Sequence, residues 1–311
     1  MNAAGRLALY GAGLVVAFGA AFAVAGAVIP DDAAASWAQD SNMNSHGTSH
    51  SGHEQATETI LNGVSVSQNG YELSPVQAPA TVGEAGELSF QILDAAGDPV
   101  TEYATAHDKD LHLIVVRTDG VEFRHVHPEL DTSTGTWSTP WSWDAAGTYR
   151  VYADFTPAAD GAEGLTLTRG VEVAGDFAPV EAEVQTVDEV DGFTVSITGD
   201  LAAGTQSDLT VTVERDGEPV TTLEPYLAAY GHLVALREGD LAYLHVHAEG
   251  DAPEDGVTAG PEIEFAAHAP TADRYLLYFD FQVGGQVHTA EFVLDTVPSD
   301  GAQTDDSHSG H

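Results

Sequence analysis

Six histidines fall into two sets of identical spacing, His112, His125, His127 and then His232, His245, His247. Each set reads His-x12-His-x-His, and the two are offset by 120 positions. The flanks keep the same register, HLIVVRTDGVEFRHVH over 112–127 and HLVALREGDLAYLHVH over 232–247. Imidazole is both a common metal ligand and a proton carrier near neutral pH. Three of them held in one spacing through a duplication therefore point to a site, and to a metal. Cysteine is absent and the methionines are Met1 and Met43, which argues against a blue-copper centre and against a sulfur-based Cu(I) carrier. Nitrogen and oxygen donors suit Zn(II), Cu(II) or Ni(II); Cu(II) or Zn(II) is the ion expected.

Such residues need a β-hairpin to bring them together. In the second copy Glu238-Gly239 suits a two-residue turn, because glycine takes positive φ at no steric cost. Pairing Arg237 with Asp240 then sets His232 opposite His245, with Cβ atoms about 4.5–5.5 Å apart. His247 lies two residues beyond His245 and shares its face. In the first copy Thr118-Asp119-Gly120 is the turn, with a glycine bulge, and His112 meets His125 to within a residue. The histidine face also carries Ile114, Val116, Val121 and Phe123, and in the second copy Val234, Leu236, Leu241 and Tyr243. Arg117, Glu122 and Arg124 lie on the opposite face. The histidines are thus expected on the core side, near one end of a sandwich, with one three-histidine site per copy.

Imidazoles beside apolar walls repel if protonated, so a metal or a hydrogen-bond network must resolve them. Core histidines satisfied by one another and by backbone carbonyls are the competing reading. Candidates for a fourth ligand are His107, whose counterpart is Leu227, and His288, which has no clear equivalent in the first copy; His268 is a weaker one. Asp154 and Asp280, each preceding a Phe, can orient a ligand imidazole, although exposed strand carboxylates are the favoured reading. Neutral imidazole is the ligand form, so binding is expected to weaken as the pH falls through about 6.5.

Around the hairpins the pattern is all-β. Leu88-Ser-Phe-Gln-Ile-Leu, Tyr149-Arg-Val-Tyr-Ala-Asp-Phe and Leu209-Thr-Val-Thr-Val alternate apolar and polar residues between Gly, Asp and Pro turns. Trp137, Trp141 and Trp143 read as sheet packing. The duplication extends beyond the histidines: Gly97-Asp-Pro-Val-Thr101 matches Gly217-Glu-Pro-Val-Thr221. Each copy has enough strands for an immunoglobulin- or cupredoxin-like β-sandwich. The expected layout is 1–29 transmembrane anchor or signal segment, 30–58 His-rich tether, 59–177 first sandwich, 178–297 second sandwich and 298–311 acidic His-containing tail.

Forty-nine acidic residues stand against nine basic ones, a formal net charge of −40. Phosphate is repelled by that field, so nucleic acid is excluded as a partner, while a highly acidic surface by itself fits a salt-adapted secreted protein. From Leu7 to Ile29 no charge interrupts the sequence, a run long enough to span a bilayer. Arg6 before it favours an inside N-terminus with the C-terminal domains outside. A cleaved signal peptide is the rival; either way the body lies outside the cytoplasm. His46, His50 and His53 in the tether, and His308 and His311 in the tail, suit weak metal capture.

The segment His107-Asp-Lys109-Asp-Leu-His112-Leu-Ile-Val-Val…Phe123-Arg-His125-Val-His127-Pro128 resembles the mark of a group of exported or membrane-anchored bacterial proteins. Their domains are YtkA-like β-sandwiches, often placed near copper-handling proteins. Copy two keeps His232 and His245-Val-His247 but has Ala248 for the proline and lacks the leading His and Lys. The resemblance covers roughly residues 60–296 and implies fold and location more than activity. The expectation is a membrane-anchored, extracytoplasmic, non-enzymatic metal-binding protein that buffers or delivers its ion. Its partner would be another envelope or metal-transport protein. The alternative is an envelope interaction or adhesion module with structural histidines.

Overall fold

The computed structural model describes residues 62–297 apart from Asp160, His245, Asp251, Ala252, Glu254 and Asp255. The expected anchor, tether and acidic tail, with their histidines, lie outside the described residues. Within them every regular element is a strand, and no helix is long and apolar enough to cross a membrane.

The first repeat contributes β1 (Ser67–Gln68), β2 (Tyr71–Leu73), β3 (Gly86–Leu93), β4 (Tyr103–Ala104), β5 (Leu111–Arg117), β6 (Arg124–Val126), β7 (Glu129–Asp131), β8 (Thr136–Trp141), β9 (Gly147–Pro157) and β10 (Leu165–Val173). The second contributes β11 (Val187–Val190), β12 (Phe193–Thr198), β13 (Gln206–Arg215), β14 (Glu218–Pro219), β15 (His232–Arg237), β16 (Tyr243–Leu244), β17 (Val246–Ala248), β18 (Glu262–His268), β19 (Arg274–Val283) and β20 (Gln286–Asp295). Each repeat is two antiparallel sheets. Their orders are β1-β2-β3-β8-β7 with β10-β9-β5-β6, and β11-β12-β13-β18-β17 with β16-β15-β19-β20.

The alternating residues of these strands fill one core per repeat, which makes each a sandwich. In the first, Leu88, Phe90 and Ile92 of β3 and Trp137 and Trp141 of β8 meet Leu113 and Val115 of β5 and Val151 and Ala153 of β9. In the second, Val195, Val211 and Phe265 meet Leu233, Leu277 and Phe279. Tyr149 and Tyr275, near the starts of β9 and β19, each donate their hydroxyl to a carbonyl four residues back, Ala145 and Thr271, at 2.8 Å. That contact pins the corner entering the strand.

The expected core-side placement of the histidines is corrected. All seven residues of β5 are buried: Leu111, Leu113 and Val115 face the sandwich core, and His112, Ile114 and Val116 face the other way. That second face packs against the second repeat. Ile114, Val116 and Tyr152 form a separate buried cluster with Val234, Leu236, Leu241, Tyr243, Leu276 and Tyr278. Each such side chain contributes about 1.5–3 kcal/mol by leaving water. The bonds across the cluster are reciprocal: Tyr152 donates to the Leu241 carbonyl at 2.7 Å and Tyr278 to the Gly120 carbonyl at 2.5 Å. Phe123 stacks on Tyr278 with centroids 3.9 Å apart. Gly120 is required where it stands, since its φ is +85° and a Cβ there would lie 2.5 Å from Leu276 Cδ1.

Candidate metal centre

Hairpin register decides which histidines meet. Ile114 pairs with His125 and Leu113 with Val126, so by continuation His112 comes level with His127. In the second repeat Ala235 pairs with Leu244 and Leu236 with Tyr243. The loop there runs over residues 238–241 and closes through Arg237 N–H to the Ala242 carbonyl at 2.9 Å. The expected two-residue turn is therefore wrong, and both registers shift by two. A shift of two preserves the face, so His112, His125 and His127 still converge.

Their ligand atoms lie within 4.8 Å of one another. His112 Nδ1 is 3.1 Å from His125 Nε2 and 3.2 Å from His127 Nε2. The outward nitrogens have acceptors. His112 Nε2 lies 3.1 Å from the Ala106 carbonyl, and His125 Nδ1 lies 2.8 Å from Asp280 Oδ2. A carbonyl and a carboxylate only accept, so those outward nitrogens carry the ring protons. His112 Nδ1 and His125 Nε2 are then both lone pairs, and they face each other. A metal ion bound to both nitrogens would reconcile them in one centre; His127 N–H can serve His112 alone. Roughly 2.0–2.1 Å separates zinc from imidazole nitrogen, which gives tetrahedral edges of about 3.3 Å, close to the separations here.

The electrostatics keep the rings neutral. Burial first, then the neighbouring imidazoles, push His125 and His127 down to about 3. His112 is also lowered, chiefly by burial, against the Ala106 carbonyl, which raises it. Burial pushes the Asp280 carboxyl up to about 6, partly offset by the Thr289 hydroxyl, which donates to it at 2.5 Å. Above that pH Asp280 is a carboxylate, as the proton assignment needs. The expected weakening of binding near pH 6.5 assumes solvated imidazoles, and these rings are buried.

The remaining candidates are placed as follows. His232 opens β15 and is partly buried, its ring 5.1 Å from that of His125 and 5.8 Å from that of His112. Its ring thus lies beside the first repeat's histidines. His245 lies outside the described residues. His247 is exposed on β17, which pairs with β18 in the other sheet of its repeat. His107 is an exposed turn residue with φ of 49°, its ring 6.1 Å from His112 and 5.7 Å from His232. Leu227, its counterpart, has φ of 56°; the turn shape is kept although the residue is not. His288 is not brought to the cluster. It is buried on β20 against Phe193 and Phe281, with Nδ1 2.7 Å from Asp191. His268 is exposed at the end of β18. Among the described residues His112, His125 and His127 are the group of ligand type found together.

Two groups around the cluster depart from the favoured sequence reading. Asp280 takes the less favoured of its two expected roles: it is 2% exposed and reaches the first repeat's His125. The Ala106 carbonyl carries no sequence signal at all. Asp280 had one: with Asp154 it repeats beside a Phe, and the strand pairs set Asp154 opposite His112 and Asp280 opposite His232.

Fold and site together define a tandem β-sandwich protein with a histidine cluster where its repeats meet. The chain belongs to the family of a domain of unknown function, DUF8832, whose profile matches twice, over residues 65–173 and 188–298. No curated protein matches the chain. Among solved structures it is similar to invasin, a bacterial integrin-binding protein, at 11% identity and a TM-score of 0.21, covering 74% of this chain and 39% of that one. It is also similar to domains 4 and 5 of the S-layer protein SbsC, at 12% identity and a TM-score of 0.21, covering 75% of this chain and 99% of that one.

Proposed function

We propose that this protein binds a transition-metal ion, copper or zinc, outside the cytoplasm, and buffers it or hands it to another envelope or metal-transport protein. One observation carries the reading: His112 Nδ1 and His125 Nε2 face each other 3.1 Å apart, while the other nitrogen of each ring lies against a carbonyl or a carboxylate on the far side. Ligating histidines characteristically donate their second N–H to a carboxylate or backbone carbonyl, and both kinds of acceptor are present. The resemblance of the His107–Pro128 segment to YtkA-like sandwiches leans the same way. Strand order and the two tyrosine contacts support an immunoglobulin-like sandwich. The uncharged run before Pro30 supports a location outside the cytoplasm. Binding rather than catalysis is the role assigned.

Calorimetric titration of the full chain with Zn(II) and with Cu(II) tests this. A sub-micromolar site that His125→Ala removes is the expected result. Binding no tighter than millimolar overturns it. If His125→Ala and His127→Ala lower the melting temperature equally with and without metal, the histidines are structural.

A further inference from the structure

Resting on that reading, we infer that the ion is shared between the repeats: one ion per chain, with His232 as a fourth ligand and Asp280 as the residue that positions His125. The sequence suggests one three-histidine site per hairpin, in copies that differ at the leading His and Lys and at Pro128. In the structure the His232 ring stands beside the first repeat's cluster, while His247 lies on the other sheet of its repeat.

Three observations carry this. First, the His125 ring is held from the other repeat: Asp280 lies on β19, and the two side chains are 1% and 2% exposed. Second, His232 stands at ligand spacing. The rings of His112, His125 and His127 are 5.0–5.3 Å apart, and His232 is 5.1 Å from His125. Imidazoles around a tetrahedral ion with nitrogens roughly 2.0–2.1 Å away place their ring centres about 5 Å apart. His232 is 5.8 Å from His112 and nearly parallel to it; it stands outside the three whose ligand atoms lie within 4.8 Å of one another, so its ring must turn toward the ion to ligate it. Third, His232 and Asp280 are cross-strand partners on β15 and β19, so one rigid ladder supplies both groups. His247 lies on β17, in the other sheet of its repeat.

His127 also lines a cleft of about 890 Å3 with Asp108, Lys109, Asp110 and Glu129. Three carboxylates against one ammonium make that mouth attractive to a cation. An ion entering there meets His127 first and finds its remaining ligands supplied by both repeats. Binding therefore requires the repeats to be docked, and the bound ion reinforces the docking.

The test counts ions and compares variants in the full chain, using Zn(II) for affinity and Cu(II) for the visible spectrum. Native mass spectrometry at low free Zn(II) should show one tightly held ion. His232→Ala should weaken it at least tenfold and shift the Cu(II) d–d band, since a ligand is lost. Asp280→Asn should weaken it ten- to a hundredfold without shifting that band, and His247→Ala should leave both unchanged. Circular dichroism identifies any variant that fails to fold, in which case His232→Gln replaces the alanine. Two tight ions per chain, or wild-type affinity in folded His232 and Asp280 variants, overturns the shared site while leaving metal binding standing. A wild-type chain that holds no tight ion removes both.

Discussion

Protons barely compete for His125 and His127, because burial has pushed both rings down to about 3. Their ligand form persists as the pH falls from 7 to 5. Asp280, raised to about 6, titrates in that window; its protonation weakens the acceptor that fixes His125, so affinity falls below that value. Zn(II) affinity is thus predicted to drop at most about tenfold between pH 7 and 5, against roughly 10^4 for three solvated imidazoles of ordinary pKa. Competition with a chromophoric chelator measures it, and a loss of the larger size would mean that the rings are open to water. Glu291 makes a second residue-scale case. Burial, with Asp188 and Glu122 nearby, pushes it from 4.5 up to about 7. A carboxyl raised on folding contributes stability below its unfolded value and loses it as the pH rises through the folded one. Glu291→Gln should therefore stabilise at pH 8 and change little at pH 4, a difference on the order of 2 kcal/mol. Urea unfolding at the two pH values checks this; equal effects at both would contradict it.

At the scale of elements, the β5–β6 hairpin was legible in period and direction but not in environment. Alternation put His112, Ile114 and Val116 on one face with Phe123 and His125, and they share it. The polar residues Arg117, Glu122 and Arg124 suggested that the other face met water. Leu111, Leu113 and Val115 on that same face gave the opposite signal, since an uninterrupted apolar run marks a strand buried on both sides. Arg117 does not contradict this, because a bidentate pair with Asp119 at 2.7 and 2.8 Å neutralises it. The loop was misjudged because Glu238-Gly239 looks like a complete turn, whereas the positive φ of Leu241 extends it. The hairpin tip is also where the repeats hold each other. Tyr278→Phe should cost about 1 kcal/mol through the lost bond to Gly120, and Ile114→Ala about 2–5 kcal/mol through the cavity it leaves. Denaturant titration reads both, and a neutral Ile114→Ala would show that the contact between repeats is not formed.

For the whole molecule, the duplication has produced two surfaces that complete one another. Tyr152 and Tyr278 exchange bonds across the contact, and within each repeat a threonine on the neighbouring strand, Thr166 or Thr289, donates to Asp154 or Asp280. No sequence period reveals that contact, because a residue facing another repeat looks like one facing its own core. With both repeats sharing a buried cluster, thermal unfolding should show one transition, raised as a whole by metal; two transitions with only one metal-sensitive would contradict this. At a hundredfold excess over Kd the gain is about 2.7 kcal/mol. Zinc K-edge X-ray absorption of the full chain loaded with one equivalent tests most directly whether the ion sits on His112, His125 and His127. An imidazole-dominated shell with nitrogens at about 2.0 Å, lost in the His112→Ala, His125→Ala double variant, is the predicted result. An oxygen-only shell, or a spectrum unchanged by that double substitution, would contradict it.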